Sequence, residues 1–353
     1  MTFLIAAAGT GGHVFPGLAV GEALVGLGVG KHEILYAGGH RLEAEVYPQA
    51  GFSFEQFEIA GLKRRFALSN LGLPSMVVRV TRAVADLIDE RKVTAVLGLG
   101  GYVTVPAAWA ARRRKVPLFL AEQNAEAGLA NRVTARWARR VFTAFPETAG
   151  LPDGHWVGNP IRSQLAAFDR AALRPQARAH YSIAEGETVV GVMGGSLGAA
   201  LLNRIASSLA ASRPSYTILN LAGGSHASAQ EALARRSPAQ WIVRDFEPRM
   251  ELFYSAIDLV VARSGGVVAE YTATATPAVL VPGGFGSAGH QAANARALEA
   301  AGAALVVDED DIDQVPAVVA RALAQRAELI AGTKSLARPN AAADIARALL
   351  EAA

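Results

Sequence analysis

A glycine-rich loop that ends in a histidine is the first set of residues that could do chemistry. The segment AAAGTGGHVFP follows an apolar amino-terminal stretch and places Thr10, Gly11 and Gly12 directly before His13. In a turn between a strand and a helix, backbone N–H groups and the positive end of the helix dipole can face a ligand. A histidine there can accept a proton from an incoming hydroxyl group. We therefore predict that His13 is a general base; the alternative is a histidine that only caps the helix.

Two further glycine turns lie in the second half of the chain. The segment MGGSLGA contains Ser196, whose hydroxyl can add to the backbone donors of a phosphate site. The segment ARSGGVVAE places Arg263 before a glycine pair and Glu270 shortly after it. A carboxylate near the start of a helix can accept both hydroxyls of a ribose. These turns predict a nucleotide-binding edge, whereas a solvent-exposed Glu270 is the simpler alternative.

Amide and polar side chains follow other predicted strands. The segment GGFGSAGHQAANA offers His290, Gln291 and Asn294 along the opening turns of a helix, and such amides suit sugar hydroxyls. In the first half, GGYVTVPA and AEQNAEAGLANR supply a second polar group: Tyr102, Thr104, Glu122, Gln123, Asn124 and Asn131. Polar groups at the carboxyl ends of strands are typical of a cleft. Ordinary turn chemistry is the alternative, and it explains Asn131 better than Glu122 to Asn124.

The elements that must position these residues alternate along the chain. Short β-branched runs alternate with longer alanine- and leucine-rich stretches, a pattern typical of a parallel sheet with crossover helices. Strands are predicted at residues 3–7, 33–36, 95–99, 118–121, 188–193, 216–219, 259–262, 278–281 and 304–307. The predicted fold class is α/β. Because a strand, a glycine turn and a helix open each half, we expect two Rossmann-like domains.

The boundary between the domains is expected at GNPIR, residues 158–162. This division gives a first domain of residues 1–161 and a second of residues 162–337. A last helix at about residues 341–350 follows Pro339 and has an apolar stripe that contains Ile345, Leu349 and Leu350. From this pattern alone, the helix could pack on either domain.

Composition excludes several classes of site. The chain has 353 residues, 51% hydrophobic and 18% charged, which is enough for a buried core in each domain. It has no cysteine, so disulfides, thiolate metal sites and a catalytic thiol are ruled out. The seven histidines lack zinc-ligand spacing, a metal would need carboxylates, and we expect no cofactor. No apolar run reaches the roughly 18 residues of a membrane-spanning helix, so we expect at most a surface-bound protein.

Basic residues are concentrated in the first half, although the formal net charge is only +3. The basic runs lie at residues 63–65, 112–115 and 136–140. They form either an ordinary solvated face or a surface for anionic lipid head groups. Nearby apolar residues could add membrane contacts or belong to a buried helix face: Leu71, Leu73, Met76 and Val77. No known nucleic-acid motif accompanies these runs, so we expect no nucleic acid partner.

Taken together, the motifs resemble those of the MurG family of peptidoglycan synthesis. In that family's order they are GTGGHVFPGLAV, GGYVTVPA, EQNAEAGLANR, GNPIR, GGSLGA, ARSGGVVAE and TPAVLVPGGFGSAGHQAANA, and they cover the chain nearly end to end. The resemblance implies an inverting, metal-independent glycosyltransferase of the B type, whose two parallel sheets face a central cleft. It implies UDP-N-acetylglucosamine in the second domain and an undecaprenyl-linked muramyl peptide in the first. The implied location is cytoplasmic, peripheral on the inner face of the plasma membrane, with an anionic membrane surface as partner.

The resemblance also implies roles for single residues. His13 is the implied base, and the segment 338–353 is expected to pack back on the first domain. The other implied contacts are Thr10, Tyr102 and Asn124 on the acceptor and sugar side, Arg162 and Ser196 at the donor phosphates, Glu270 at the ribose, Gln291 and Asn294 at the N-acetylglucosamine, and backbone near Phe246 and Glu247 at the uracil. Five more residues are expected to line the substrate sites: Gly11, Gly12, Glu122, Arg263 and His290.

Two positions depart from the family's pattern. Leu197 stands where a glutamine is common, and the segment between Arg263 and Glu270 is one residue short, with valines where a hydroxyl often lies. Other functions therefore stay open. A UDP-N-acetylglucosamine 2-epimerase shares the architecture, a related transferase could use another lipid acceptor, and a non-catalytic protein could bind the sugar nucleotide without turnover. It also stays open whether Glu122 assists or replaces the base.

Overall fold

The chain folds into two compact units in the computed structural model, which describes residues 1–59, 73–194, 200–283 and 288–353. Unit 1 contains Met1–Ser163 and Arg338–Ala353, and unit 2 contains Gln164–Ala337. The first stretch of unit 1 ends at Ser163, two residues after the domain boundary expected from the sequence. Each unit is built on its own parallel sheet.

The sheet of unit 1 has seven strands among the described residues. In chain order they are β1 (Thr2–Ala6), β2 (Ile34–Gly38), β3 (Ser53–Gln56), β4 (Val93–Gly98), β5 (Leu118–Glu122), β6 (Arg140–Thr143) and β7 (His155–Trp156). Across the sheet the order is β3–β2–β1–β4–β5–β6–β7, and all neighbours are parallel. The chain leaves β1 toward β2 and later returns to β4 on the other side. Ligands bind such sheets at this switch point, between the carboxyl ends of β1 and β4.

Helices cover both faces of this sheet. They are α1 (Gly11–Gly26), α2 (Glu43–Gln49), α3 (Leu73–Arg91), α4 (Thr104–Arg114), α5 (Leu129–Thr134) and α15 (Ala341–Leu350). Successive side chains of a strand point to opposite faces, so β1 contributes to two cores. Phe3 and Ile5 pack in a cluster with α1 and α15, and Leu4 packs in a second cluster with α3 and α4.

The last helix packs within unit 1. Ile345 and Leu349 of α15 are fully buried in the same apolar cluster as Val20 and Leu24 of α1. Arg338, just before α15, stacks on the Trp156 ring with its guanidinium carbon 3.5 Å from the ring centroid. The returning chain is therefore fixed on unit 1 by aromatic and apolar contacts.

Unit 2 repeats the same design. Its strands are β8 (Val189–Met193), β9 (Thr217–Leu221), β10 (Trp241–Arg244), β11 (Leu259–Ala262), β12 (Ala278–Leu280) and β13 (Ala304–Val306), in the spatial order β10–β9–β8–β11–β12–β13. Its helices are α7 (Arg170–Tyr181), α8 (Ala200–Ala211), α9 (Ala227–Ala234), α10 (Met250–Ala256), α11 (Val268–Ala273), α12 (Ala288–Ala300), α13 (Val315–Ala324) and α14 (Arg326–Leu336), and α6 (Ser163–Ala166) lies at the unit boundary. All sheet pairs are parallel. The switch point therefore lies between the carboxyl ends of β8 and β11.

The amino edge of this second sheet is held by one carboxylate. Asp258, just before β11, accepts hydrogen bonds from Arg174 at 2.7 Å and Arg326 at 2.9 Å, and it lies 3.6 Å from Arg178. Its other oxygen accepts the backbone N–H of Val189 at 2.9 Å. The network joins α7 and α14 to two central strands, on the edge opposite to the switch point.

The predicted fold class is confirmed: the chain is α/β, with two Rossmann-like domains built on parallel sheets. All predicted strands occur, and their ends lie within two residues of the expected positions. Four strands in the described part of the chain were not predicted: β3, β6, β7 and β10.

Candidate active site

His13 lies at the switch point of unit 1. The loop after β1 turns through Gly9, whose φ of +107° favours glycine, and α1 then begins with the N–H groups of His13 and Val14 donating to the Thr10 carbonyl. Thr10 is exposed, while Gly11, Gly12 and the His13 side chain are half-buried. The first turn of a helix thus presents the imidazole at the carboxyl edge of the sheet, where the sequence predicted it.

The imidazole packs against the loop that follows β4. Gly100 has a φ of +83°, and a Cβ there would lie 3.2 Å from Nε2 of His13 and 3.5 Å from Nδ2 of Asn131. Asn131 is fully buried on α5 and donates to the Ala121 carbonyl at 3.1 Å. The loops after β1 and β4 and the helix α5 therefore meet beside Gly100.

Glu122 organises the loop after β5. Its buried carboxylate accepts four hydrogen bonds: from the backbone and side chain of Asn124 at 3.1 and 3.0 Å, from Gly128 N–H at 3.0 Å and from Asn131 at 2.8 Å. A carboxylate whose two oxygens both accept hydrogen bonds holds the groups that donate to it in place. It therefore holds the half-buried Asn124 at the carboxyl end of β5.

Tyr102 points its hydroxyl into the protein. The hydroxyl donates to Oε1 of Glu43 at 3.1 Å, and its ring lies beside Gly9. Burial, and then the negative charge of Glu43, raise the pKa of Tyr102 to about 12. Tyr102 is therefore neutral at physiological pH, and its ring rather than its hydroxyl is available to a ligand.

Glu43 is a residue of this site that the sequence did not indicate. It opens α2 and is fully buried, yet its hydrogen-bond partners Gly9 and Tyr102 are 34 and 59 residues away in the chain. The available signal was an acidic residue in the first turn of a helix after a strand, which commonly means no more than a favourable helix dipole.

In unit 2, the loop after β11 is braced by α12. Ser264 is fully buried and donates to the Gln291 carbonyl at 2.7 Å, while its own carbonyl accepts from Nδ2 of Asn294 at 2.9 Å. Oε1 of Gln291 accepts the Gly283 N–H at 2.8 Å. Asn294 is itself fully buried, so its amide holds the loop in this structure. His290 and Gln291, on the first turns of α12, are half-buried.

Arg263 and Glu270 flank the glycine pair of the same loop. Arg263 donates to the Val281 carbonyl at 2.9 Å and pairs with Glu309 at 2.5 Å, so its guanidinium braces the neighbouring loops. Glu270 accepts the Tyr254 hydroxyl at 2.8 Å through one oxygen, Oε2. Among the described residues, no atom lies within 4 Å of a Cβ position on Gly265 between them. The contacts of Arg263 and Glu270 therefore hold both ends of the loop in place.

The loop after β10 carries Phe246 and Glu247 with opposite orientations. The Phe246 side chain is 55% exposed, whereas Glu247 is buried and accepts from the Tyr181 hydroxyl at 2.7 Å and from His180 at 3.0 Å. Burial alone raises the pKa of Glu247, but hydrogen bonds from Tyr181, the Arg249 N–H and His180 together lower it below its ordinary value. The carboxylate therefore anchors the loop and leaves the backbone and ring of Phe246 at the surface.

Comparison with known proteins identifies both units. Residues 3–143 match the glycosyltransferase family 28 N-terminal domain, and residues 189–349 match the glycosyltransferase family 28 C-terminal domain. The chain belongs to glycosyltransferase family 28. It is therefore a glycosyltransferase, and the resemblance to the MurG family is confirmed by its relatives.

Relatives of this family 28 chain match over nearly its whole length. A protein of Mycobacterium sp. (strain KMS), named UDP-N-acetylglucosamine--N-acetylmuramyl-(pentapeptide) pyrophosphoryl-undecaprenol N-acetylglucosamine transferase, is 40% identical over 88% of this chain and 84% of its own. The crystal structure of Acinetobacter baumannii MurG superimposes with a TM-score of 0.80 and 27% identity, covering 99% of this chain and 100% of that one. A UDP-GlcNAc 2-epimerase from Neisseria meningitidis, bound to UDP-GlcNAc, gives a TM-score of 0.63 at 15% identity over 99% of this chain and 100% of that one, which shows the shared fold alone.

Two residues expected at the donor phosphates of this family 28 chain, Ser196 and Arg162, do not lie in the described part of unit 2. Ser196 lies outside the described residues. Arg162 belongs to unit 1, where its guanidinium carbon is 5.9 Å from the centroid of the Phe15 ring on α1.

Within the described ranges, no group of three or more histidine, aspartate or glutamate side chains could hold a metal ion. In the same ranges, no helix is both long enough and apolar enough to cross a bilayer.

Proposed function

We propose that this chain transfers N-acetylglucosamine from UDP-N-acetylglucosamine to the lipid-linked N-acetylmuramyl pentapeptide of peptidoglycan synthesis. The proposal rests mainly on a relative that is named for this reaction and is 40% identical over 88% of the chain. Both family 28 domains are present, and a glycine loop in unit 1 presents His13 at the edge where ligands bind. The fold alone would not separate this reaction from others on the same architecture.

In the proposed mechanism, unit 1 binds the acceptor and His13 activates it. His13 accepts the proton of the acceptor hydroxyl as the oxygen attacks the anomeric carbon of the donor sugar. The bond from that carbon to the diphosphate oxygen breaks, its electron pair leaves with UDP, and the configuration inverts. Asn124 is held in place by Glu122 and can orient the sugar, while the ring of Tyr102 lines the same edge.

Unit 2 is proposed to hold the donor. Glu270 takes the ribose hydroxyls, the Gln291 amide takes the N-acetylglucosamine, and backbone at Phe246 takes the uracil. Backbone N–H groups of the glycine loops, with Ser196, stabilise the charge that develops on the departing diphosphate. We assign Asn294, Arg263 and Glu247 to the support of these loops, because their side chains are bound within unit 2. Arg162 is also proposed to contact the donor diphosphate.

The test is transfer of labelled N-acetylglucosamine to a lipid-linked muramyl peptide. His13→Ala should lower the rate about 100- to 10,000-fold, because a positioned general base contributes that much. Binding of UDP, measured by calorimetry, should stay close to that of the original chain because unit 2 is unchanged. Retained turnover in His13→Ala would disprove the assignment of the base.

The same assay separates the alternatives. An epimerase would convert UDP-N-acetylglucosamine with no acceptor present, and a non-catalytic sugar-nucleotide binder would bind the donor without any product. A transferase with a different lipid acceptor would leave the muramyl peptide unlabelled while hydrolysing or transferring the donor elsewhere. Labelled muramyl product that depends on both substrates excludes all three.

An anionic membrane surface is the further partner that we propose, because the acceptor carries a long lipid. Three large apolar residues of unit 1 are solvent-exposed. Trp109 on α4 is 40% exposed, and on one side of α5 Leu129 is 63% and Val133 40% exposed. Trp109 meets Trp137 edge-on, and Arg112 and Arg136 lie over the Trp137 ring at 5.0 and 4.7 Å. Exposed apolar side chains among cations are typical of proteins that bind anionic membrane surfaces.

The apolar patch suggested from the sequence, near residues 71–77, is not the surface that we propose. Met76 packs against the core of unit 1, while Leu71, the side chain of Leu73 and the basic run 63–65 lie outside the described residues. Sedimentation with phosphatidylglycerol and phosphatidylcholine vesicles tests the Trp109 surface. Trp109→Ser should weaken binding to the anionic vesicles, and Leu233→Ser, at an exposed apolar position of unit 2, should not. Equal sedimentation with both lipids would contradict the proposal.

A further inference from the structure

Two fully buried polar side chains lie one helical turn apart on α2, outside every motif that suggested the reaction. They are Glu43 and Tyr47. Residues four apart in a helix project from the same face, so both side chains point to the same neighbours. A buried carboxylate is unfavourable unless hydrogen bonds replace its water, so its partners show what it holds.

Glu43 joins three loops through one carboxylate. Oε2 accepts the Gly9 N–H at 3.1 Å, and Oε1 accepts the Gly39 N–H at 3.0 Å and the Tyr102 hydroxyl at 3.1 Å. These partners follow β1, β2 and β4, the strands on both sides of the switch point. A Cβ on Gly39 would lie 2.7 Å from the Tyr102 hydroxyl, so the loops meet with no room for a side chain.

Tyr47 holds the other end of the same segment. Its hydroxyl donates to the Val14 carbonyl at 3.1 Å, directly after His13. A Cβ on Gly17, the next residue of α1 that faces α2, would lie 2.8 Å from this hydroxyl. The face of α2 therefore fixes the chain at Gly9, before His13, and at Val14, after it.

The charge of Glu43 strengthens this arrangement. Burial raises the pKa of Glu43, but the hydrogen bonds from backbone N–H groups and from Tyr102 outweigh it and lower the pKa below its ordinary value. The carboxylate is thus ionised, and hydrogen bonds to a charged acceptor are the stronger kind. Because it already uses the Gly9 N–H, this N–H is not a donor for a substrate phosphate. The loop is preorganised by an internal anion.

We propose that Glu43 and Tyr47 are positioning residues for His13, which hold the segment from Gly9 to Val14 in its reactive placement. This inference rests on the proposed function, in which His13 is the base. Neither side chain needs to touch substrate, so their loss should lower turnover without weakening donor binding. A displacement of about 1 Å at a reacting group can cost about 100-fold in rate.

The test is Glu43→Gln in the intact chain. Glutamine keeps the shape, but its NH2 group must face the N–H of either Gly9 or Gly39, so one backbone donor loses its acceptor. We expect kcat to fall by about 100-fold with an unchanged KM for UDP-N-acetylglucosamine. Hydrogen–deuterium exchange of the peptide that contains Gly9 should become faster. Tyr47→Phe removes a single hydroxyl, so it serves if Glu43→Gln does not fold, and it should lower kcat in the same direction.

Glu33→Gln is the matched control. Glu33 also accepts a backbone N–H, that of Gly30 at 3.0 Å, but it precedes β2 and so lies at the amino edge of the sheet. Its kcat should equal that of the original chain. If folded Glu43→Gln and Tyr47→Phe keep full kcat, or raise KM and leave kcat unchanged, the positioning role is wrong.

Failure of the proposed function gives a different result. If the original chain shows no transfer to the muramyl peptide, the reaction is wrong, while the exchange rate at Gly9 still tests the role of Glu43. Unchanged exchange in Glu43→Gln would overturn the positioning role whether or not the transfer reaction is correct. Full transfer in His13→Ala would show that His13 is not the base. The hydrogen bonds from Glu43 and Tyr47 to the loop would not be affected by that result.

Discussion

Single atoms at the carboxyl edge of unit 1 decide which residue types can occupy its loops. Gly100 and Gly101 have φ values of +83° and +74°, and a Cβ on Gly101 would lie 2.6 Å from the Ala8 carbonyl oxygen. Side chains other than glycine are strained at such angles, and a backbone oxygen cannot turn away as a flexible side chain can. Both glycines therefore set the distance between the loop of β4 and the loop that carries His13.

Gly101→Ala should destabilise unit 1. The strained backbone conformation alone costs about 1–3 kcal/mol, and the contact with Ala8 adds to it. Urea unfolding at neutral pH should show a lower midpoint. Gly26→Ala, at the end of α1 with no described residue near its Cβ position, should instead be neutral or stabilise by up to about 1 kcal/mol, because alanine favours a helix. Shifts of the same sign for both variants would show that backbone strain is not the cause.

Site residues could be predicted from the sequence where they lie within a short, recognisable motif. The loop that carries His13 can be recognised from its residue types and their order, and so can the segment EQN. The structure places four residues at the carboxyl edge of the same sheet: His13, Tyr102, Glu122 and Asn124. Glu43 could not be found in this way. Its role depends on pairings across 34 and 59 residues, which no local pattern encodes.

At the scale of elements, burial decided which strands could be predicted. Interior strands such as β1 and β8 are almost entirely apolar, since both faces of a parallel sheet are covered. The missed strands lie toward the sheet edges. Strand β3 reads SFEQ and β7 has only two residues, so neither shows an apolar run. Their pairing depends on a neighbouring strand that the sequence does not place beside them.

The docking of α1 depends on a close approach that the sequence also leaves hidden. Gly21 of α1 faces Tyr36 of β2, and a Cβ on Gly21 would overlap the Tyr36 hydroxyl. That ring cannot retreat, because it is fully buried and stacked on Tyr47 with centroids 3.8 Å apart. The Tyr36 hydroxyl donates to the Gly17 carbonyl at 3.0 Å, so it also fixes α1 by a hydrogen bond.

Gly21→Ala should therefore destabilise unit 1 even though it favours the helix. The gain in helix propensity is about 1 kcal/mol, whereas overpacking a closed core costs about 1–3 kcal/mol and here meets a fixed hydroxyl. We expect a net loss in urea unfolding. Combining Gly21→Ala with Tyr36→Phe removes the overlapping oxygen and should cost less than the sum of the two single changes. Strict additivity would show that the overlap is not what destabilises the variant.

At the scale of the whole molecule, each unit has its own sheet, core and buried carboxylate. The repeated opening of strand, glycine turn and helix is what allowed two Rossmann-like domains to be predicted. The placement of α15 could not be read from its own apolar stripe, because a stripe states that a face is buried but not against what. The decisive contacts are long-range: Arg338 on Trp156, and Ile345 and Leu349 beside α1.

The two buried carboxylates predict how the stability of each unit depends on pH. Glu43 in unit 1 and Glu247 in unit 2 both have a folded-state pKa below the ordinary value of 4.5. When the folded pKa is the lower one, the unfolded state binds more protons as pH falls. The stabilisation is therefore complete above the unfolded pKa and is lost as pH falls through the folded pKa. Both units should become less stable in acid, each through its own carboxylate.

Glu43→Gln and Glu247→Gln separate these two contributions. Hydrogen exchange of peptides from each unit, followed from neutral pH to about pH 3, reports the local free energy of opening. Glu43→Gln should be less stable at neutral pH and show a weaker acid dependence in unit 1, with unit 2 unchanged. Glu247→Gln should do the reverse, because its partners Tyr181 and His180 belong to unit 2. An acid dependence that persists undiminished in both variants would mean that other carboxylates control it.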